Sequence, residues 1–189
     1  MYKKIWLLAL ALVCLSNFGA FAQQTTIWLV RHAEKQAAIA SMMSASDPDL
    51  SELGIKRAAD LAGVLKGNKI SAIYSTNYKR TLATVAPLAA GLKLTPATYD
   101  PREANTLATK LAQENKGKEM LVVGHSNTLI PLAKALQATV PFETLTDDDY
   151  DMLFRIVIAD NGKAKLTISH YGDKHHTTEI PAAFLQTTK

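Results

Sequence analysis

TTIWLVRHAE, residues 25–34, sets an uncharged run from Thr25 to Val30 ahead of Arg31, His32 and Glu34. A β-branched, apolar stretch of this kind reads as a strand buried on both faces, delivering polar residues at its carboxyl edge. The pattern recurs downstream, where the apolar stretch Met120 to Gly124 runs into His125, Ser126 and Asn127. Each of these buried strands presents a histidine at the same end. As parallel neighbours about 5 Å apart, they bring His32, His125 and Arg31 to one crevice at the carboxyl edge, where open α/β sheets form their sites.

Around this pair, strand and helix patterns alternate. Ser51 is expected to cap a helix carrying Leu53, Ala58, Leu61, Ala62 and Leu65 at helical spacing, with Gly67 and Asn68 as its stop. Ile70 to Tyr74 reads as a short strand. Tyr78 to Ala90 reads as a helix with Leu82, Val85, Ala86 and Ala89 on its apolar face, bent or shortened by Pro87 and stopped at Gly91. Leu92 to Tyr99 is a weak extended segment, and Pro101 leads into a helix over Glu103 to Gln113. Ser126 is expected to cap a helix from Thr128 to Gln137. Leu153 to Ile158, the Asn161-Gly162 turn and Ala164 to His170 form a hairpin. The alternation predicts an α/β fold with a largely parallel sheet closed by an antiparallel hairpin.

Arg80 falls in the first turn after the second strand, where it can swing back over the same edge. Arginine offers a rigid fork of donors matched to phosphate oxygens, and amides near the helix after His125 are expected to add to them. Arg31, Arg80, His125 and Ser126 are therefore the expected phosphate-binding set. Phosphoryl transfer also needs an in-line nucleophile and an acid for the leaving oxygen. His32 serves as nucleophile through a neutral ring nitrogen if an acceptor fixes its tautomer. For the acid, Glu103 is the first choice, Asp100 the second and Glu34 the third, the last better suited to positioning.

Arg31-His32-Ala33-Glu34, the run from Tyr74 to Thr81 and Val123-Gly124-His125-Ser126 together resemble the three signature stretches of the histidine phosphatase superfamily, branch 1 type. Asp49 to Gly54, with Arg57-Ala58 and Leu61-Ala62, resembles the family's stretch after the first loop, so the likeness spans about Thr26 to Leu136. It implies a three-layer, phosphoglycerate mutase-like sandwich with a mostly parallel central sheet. It further implies phosphorylation of His32, a pocket completed by Arg31, Arg80 and His125, an acid on the segment holding Glu103, and no metal or cofactor. Ala33 stands where glycine is usual. Glu34-Lys35-Gln36 lacks the Ser/Thr and Asn residues of the true mutases, which points to hydrolysis, and the chain is too short for the insertions of the acid-phosphatase and phytase branch.

The ends bound the remaining expectations. Lys3 and Lys4, the apolar run from Ile5 to Val13 and Ala20-Phe21-Ala22 have the order of a secretory signal with its cleavage site, the alternative being a retained N-terminal anchor. Without residues 1–22 the chain of 189 falls to 167, one domain over 23–189, and its formal charge of +4 falls to +2 with the two lysines. Such a balance gives no footing for a nucleic-acid partner. The single cysteine, Cys14, lies in that signal, so no disulfide staples the remainder. The partner expected is a phosphorylated small molecule or phosphoprotein met outside the cytoplasm, in a periplasm or beyond the cell, by a mature chain without a membrane span. A phosphate-binding module without turnover and a mutase-like phosphotransferase are the competing classes. His170, His175 and His176 match no closed metal motif and read as solvated strand-end residues, and Asp147 to Asp149 read as a solvated acidic turn. The loops from Lys35 to Pro48 and from Val140 to Asp151 are expected to set specificity.

Overall fold

A computed structural model describes residues 24–37 and 47–186. The signal segment and most of the loop from Lys35 to Pro48 lie outside the described residues.

The strands are β1 (Thr25–Arg31), β2 (Ile70–Ser75), β3 (Ala97–Thr98), β4 (Glu119–Gly124), β5 (Met152–Ile158) and β6 (Ala164–His170). They form one sheet in the order β3-β2-β4-β1-β5-β6. The first four run parallel, β5 lies antiparallel to β1, and β6 pairs antiparallel with β5. β1 and β4, the two strands with the longest apolar character, are adjacent at the centre, in register from Thr26 opposite Glu119 to Arg31 opposite Gly124.

Among the described residues four helices cover the sheet: α1 (Glu52–Leu65), α2 (Lys79–Leu92), α3 (Ala104–Thr109), continued by a π-helical turn over Lys110–Glu114, and α4 (Leu129–Ala135). Alternate side chains of a strand face opposite sides, and the core divides accordingly. Ile27, Leu29, Met120 and Val122 pack with Leu107, Leu111, Leu129 and Leu132 beneath α3 and α4. Trp28, Val30, Leu121 and Val123 pack with Leu61, Leu65, Val85 and Leu88 beneath α1 and α2. Burial on both faces is why β1 and β4 read as unbroken apolar runs. The fold is the three-layer α/β sandwich expected, with a mostly parallel sheet and the antiparallel β5-β6 pair, whose turn holds Gly162 at a φ of 79°.

Several local readings change. α1 starts at the expected cap, Ser51 Oγ accepting from Gly54 N–H at 3.1 Å, but buries Gly54 and Arg57 rather than Leu53, which is 41% exposed. α2 passes through Pro87 and ends only where Lys93 adopts left-handed backbone. Its buried face is Thr81, Thr84, Val85, Leu88 and Ala89, because the two threonine hydroxyls are used in buried hydrogen bonds near the site. The extended segment before α3 supplies only two strand residues, Ala97 and Thr98, and Glu103 caps α3 rather than starting it. No helix among the described residues is long and apolar enough to cross a membrane.

Candidate active site

The carboxyl ends of β1, β4 and β2 meet, as their parallel order requires. His32 N–H donates to the Gly124 carbonyl at 3.0 Å, which extends the ladder one step past β1 and sets His32 beside His125. Their ring centroids lie 5.3 Å apart. Gly124 permits this packing, since a Cβ there would stand 2.9 Å from both Thr128 Oγ1 and the Tyr99 hydroxyl.

His32 is 5% exposed, and its Nδ1 lies 2.8 Å from the Ala33 carbonyl. A carbonyl only accepts, so Nδ1 carries the proton and Nε2 holds the lone pair in the neutral ring. Ala33 is itself fixed, its N–H donating to Thr84 Oγ1 of α2 at 2.9 Å. The His32 pKa is lowered to about 3: burial is the main cause, and Arg31, His125 and Arg80 push the same way against the hydrogen bond to Ala33.

His125 has the complementary arrangement. Its Nε2 lies 2.9 Å from Thr76 Oγ1, which donates to Thr81 Oγ1 at 3.0 Å, and Thr81 donates to the Thr76 carbonyl at 2.8 Å. Starting from that carbonyl, every bond in the chain is satisfied only if Nε2 of His125 donates, leaving Nδ1 as the titrating nitrogen. Burial, then Arg80 and Arg31, lower its pKa to about 4, with Asp47 acting in the opposite direction.

The two arginines are held by other groups and keep donors in reserve. Arg31, 4% exposed, gives Nη1 to the carbonyls of Thr146 and Asp147 at 2.8 and 3.0 Å, and its guanidinium lies 3.9 Å over the Tyr150 ring. Arg80 stacks 4.4 Å over Tyr78 and pairs with Asp47 at 3.4 Å. The Nε atoms of both Arg31 and Arg80 are buried without an acceptor among the described residues. Buried charged donors are costly when unpaired. Two of them flanking a neutral histidine form a pocket matched to an anion with several oxygens.

Ser126 does not cap the next helix. It lies in the turn 126–128, the cap position belongs to Thr128, and the amides of Thr128 and Leu129 are already bound to the His125 carbonyl. Two of the donors expected after His125, the amides of Thr128 and Leu129, are thus engaged within the chain.

The three acid candidates separate by partner. Glu34, 6% exposed, accepts from Arg57 Nε at 2.8 and 2.9 Å, pairs with Arg57 Nη2 at 2.7 Å and meets His175 Nδ1 at 2.7 Å. That pairing ties Glu34 to Arg57 and His175 rather than leaving it free as an acid. Asp100 is paired with Arg102 Nη2 at 2.6 Å, and the hydrogen bonds from Arg102 hold its carboxyl at about 2. Glu103 is exposed, and its carboxylate has no hydrogen-bond partner among the described residues.

Sequence patterns left several residues unassigned. Tyr78 and Tyr150 wall the pocket, their rings 5.2 Å from His125 and 6.1 Å from His32 respectively. The segment read as a solvated acidic turn is what anchors Arg31. Asp149 is fully buried and accepts from the amides of Thr146, Thr177 and Thr178, while Asp147 and Asp148 are exposed. Burial would raise the Asp149 pKa, but the hydrogen bonds from Thr178, Thr146 and Thr177 hold it at about 2. Nor are all the tail histidines solvated: His175 binds Glu34, and the His176 side chain, 10% exposed, binds Asp151. The signal that could have found Asp149 is its place in the Thr146-to-Tyr150 stretch ahead of a buried strand. Its partners Thr177 and Thr178, 28 and 29 residues on, could not be read.

Residues 27–104 match the family model of the histidine phosphatase superfamily, branch 1. No curated protein matches the chain by sequence. Among solved structures it is similar to a mycobacterial glucosyl-3-phosphoglycerate phosphatase (14% identity, TM-score 0.60, covering 78% of this chain and 98% of that one). It is also similar to the protein histidine phosphatase SixA complexed with tungstate (17%, 0.56, 80% and 96%). Bacillus stearothermophilus YhfR is a third (20%, 0.59, 80% and 98%). At these identities the structures speak for the fold alone, and that fold agrees with the family match over residues 27–104.

Proposed function

We propose that this protein hydrolyses phosphomonoesters through a phosphohistidine at His32, without a metal in the reaction, and that it does so after export. The observation that carries the reading is a buried, neutral His32, its Nδ1 proton spent on Ala33, between two arginines with unpartnered Nε donors. The phosphoryl oxygens are held by Arg31, Arg80 and His125, the last taking a proton on Nδ1 as the dianion arrives and reverses the balance of charge around it. Nε2 of His32 attacks phosphorus in line. The P–O bond to the leaving group breaks, and Glu103, the one candidate carboxylate not committed to a cation, gives the leaving oxygen its proton. Water then attacks the phosphoramidate, Glu103 takes its proton, the P–N bond breaks, and His32 returns to the neutral ring.

The structural relatives are consistent with this use of the fold: two are named as phosphatases, and SixA carries tungstate, a tetrahedral oxyanion. Substrates of the same class, a small phosphorylated molecule or a phosphorylated protein, suit the open edge beside Tyr78, Tyr99 and Arg102, which line a cleft of about 750 Å³. The test is turnover of an aryl phosphate by residues 23–189 in excess chelator, with and without His32→Ala. Chelator-resistant turnover that disappears in the variant is expected. Activity that survives His32→Ala, or none with any of a panel of phosphate esters, overturns the proposal, the latter in favour of an anion-binding module. Export is tested separately, by N-terminal sequencing of the protein recovered outside the cytoplasm of its own cell, where residue 23 is the start expected.

A further inference from the structure

Behind the phosphate pocket, the C-terminal tail folds back along the entry to β5. Tyr150 N–H donates to the His175 carbonyl at 2.9 Å, and His175 N–H donates to Asp151 Oδ2 at 2.9 Å. Successive side chains of an extended segment point opposite ways, and they do so here. His175 turns to Glu34, while His176 turns to Asp151, its Nδ1 2.7 Å from Oδ2. His170, the last residue of β6, is brought to the same place by the hairpin register that sets it opposite Met152. Its ring stacks on His176 at 4.1 Å with an interplanar angle of 3°.

Asp151, His170 and His176 thus each offer a ligand atom within 4.8 Å of the others. A second, independent observation concerns Asp151 itself. Its side chain is 1% exposed, and Oδ1 is buried without a hydrogen-bond partner among the described residues. A buried carboxylate oxygen left without a partner is costly unless a cation or donor satisfies it. Two imidazoles and a carboxylate are a donor set suited to zinc and its neighbours, and three protein ligands leave one tetrahedral position for water.

We propose that Asp151, His170 and His176 form a binding site for a divalent transition ion of the zinc type. The ion joins three separate segments: the start of β5, the end of β6 and the tail carrying His175. Its effect falls on stability, because the ion ties down the tail that holds His175 against Glu34, and none of its three ligands is among the groups assigned to phosphoryl transfer. The proposal stands whether or not His32 is a nucleophile.

The experiment uses residues 23–189 without a polyhistidine tag, stripped of metal, titrated with Zn2+ against a chromophoric chelator and with Co2+ by visible absorption. One ion per chain is expected, with the intense visible bands of low-coordinate Co2+ and an unfolding midpoint raised by roughly 5 °C at saturating Zn2+. His170→Ala, at an exposed strand end where folding is not at risk, is expected to weaken binding at least tenfold, as is His176→Ala. His32→Ala is expected to leave binding unchanged, and His170→Ala to leave aryl phosphate turnover unchanged, so failure here is distinct from failure of the catalytic reading. Absence of stoichiometric binding, or undiminished affinity in His170→Ala, overturns the proposal.

Discussion

His32 and His125 sit 5.3 Å apart yet are tuned through opposite nitrogens. The Ala33 carbonyl accepts from Nδ1–H of His32, and Thr76 Oγ1 accepts from Nε2–H of His125. Both rings are neutral in the ligand-free pocket because burial and two guanidinium groups disfavour further positive charge. A dianion reverses that balance first for His125, whose free nitrogen is available to donate to it. Histidine NMR checks this: without ligand, neither ring titrates between pH 5 and 8, and inorganic phosphate moves the His125 midpoint up towards that window. A midpoint near the ordinary 6.5 for His32 without ligand contradicts the assignment. The residues themselves were legible in the sequence, since strand-end histidines and arginines announce themselves by type and position. Their tautomers were not, because the deciding acceptors are a backbone carbonyl and a hydroxyl chain that no pattern of residue types specifies.

At the scale of elements, the β1 end is held by α1 and α2 rather than by the sheet alone. Thr84 of α2 binds Ala33 N–H, and α1 approaches so closely that a Cβ on Gly54 would lie 2.2 Å from the Glu34 carbonyl oxygen. Backbone cannot yield cheaply at that distance. Gly54→Ala is therefore expected to destabilise the fold by roughly 3 kcal/mol, in the range of overpacked cores, and to lower turnover by displacing the loop that carries His32. Denaturant unfolding of the variant checks it, and an unchanged midpoint contradicts the packing described. The helix itself was legible from its Ser51 cap and its spacing. Ala58, Leu61 and Leu65 are buried as their spacing predicts, but Leu53 is not and Arg57 was missed: hydropathy sends an arginine to the surface, whereas this one is 1% exposed and paired with Glu34. A buried ion pair joins residues 23 positions apart, and only the fold reveals that each neutralises the other.

Across the whole molecule, the tail and the β5 entry brace the pocket from behind through Asp149, which holds the loop that fixes Arg31. Its folded pKa, about 2, lies below the unfolded value, so its contribution is present above about pH 4 and lost as pH falls towards 2, roughly 2 kcal/mol in all. His32 acts in the same direction over a higher window: its folded pKa is depressed to about 3, so stability declines as pH falls below the ordinary histidine value near 6.5. Asp149→Asn is expected to lower stability at pH 7 and to flatten the acid limb below pH 4, and an unchanged acid profile contradicts that role. The layered sheet was readable from alternating strand and helix patterns. The brace was not, because it depends on hydrogen bonds between Asp149 and Thr177 or Thr178 that are 28 and 29 residues apart. The most direct test of the central claim is to mix the protein with a 32P-labelled phosphomonoester, quench within a turnover and map the label. The account predicts one acid-labile, alkali-stable phosphohistidine on His32, absent from His32→Ala. Turnover with no label on that histidine, or label on another residue, would contradict it.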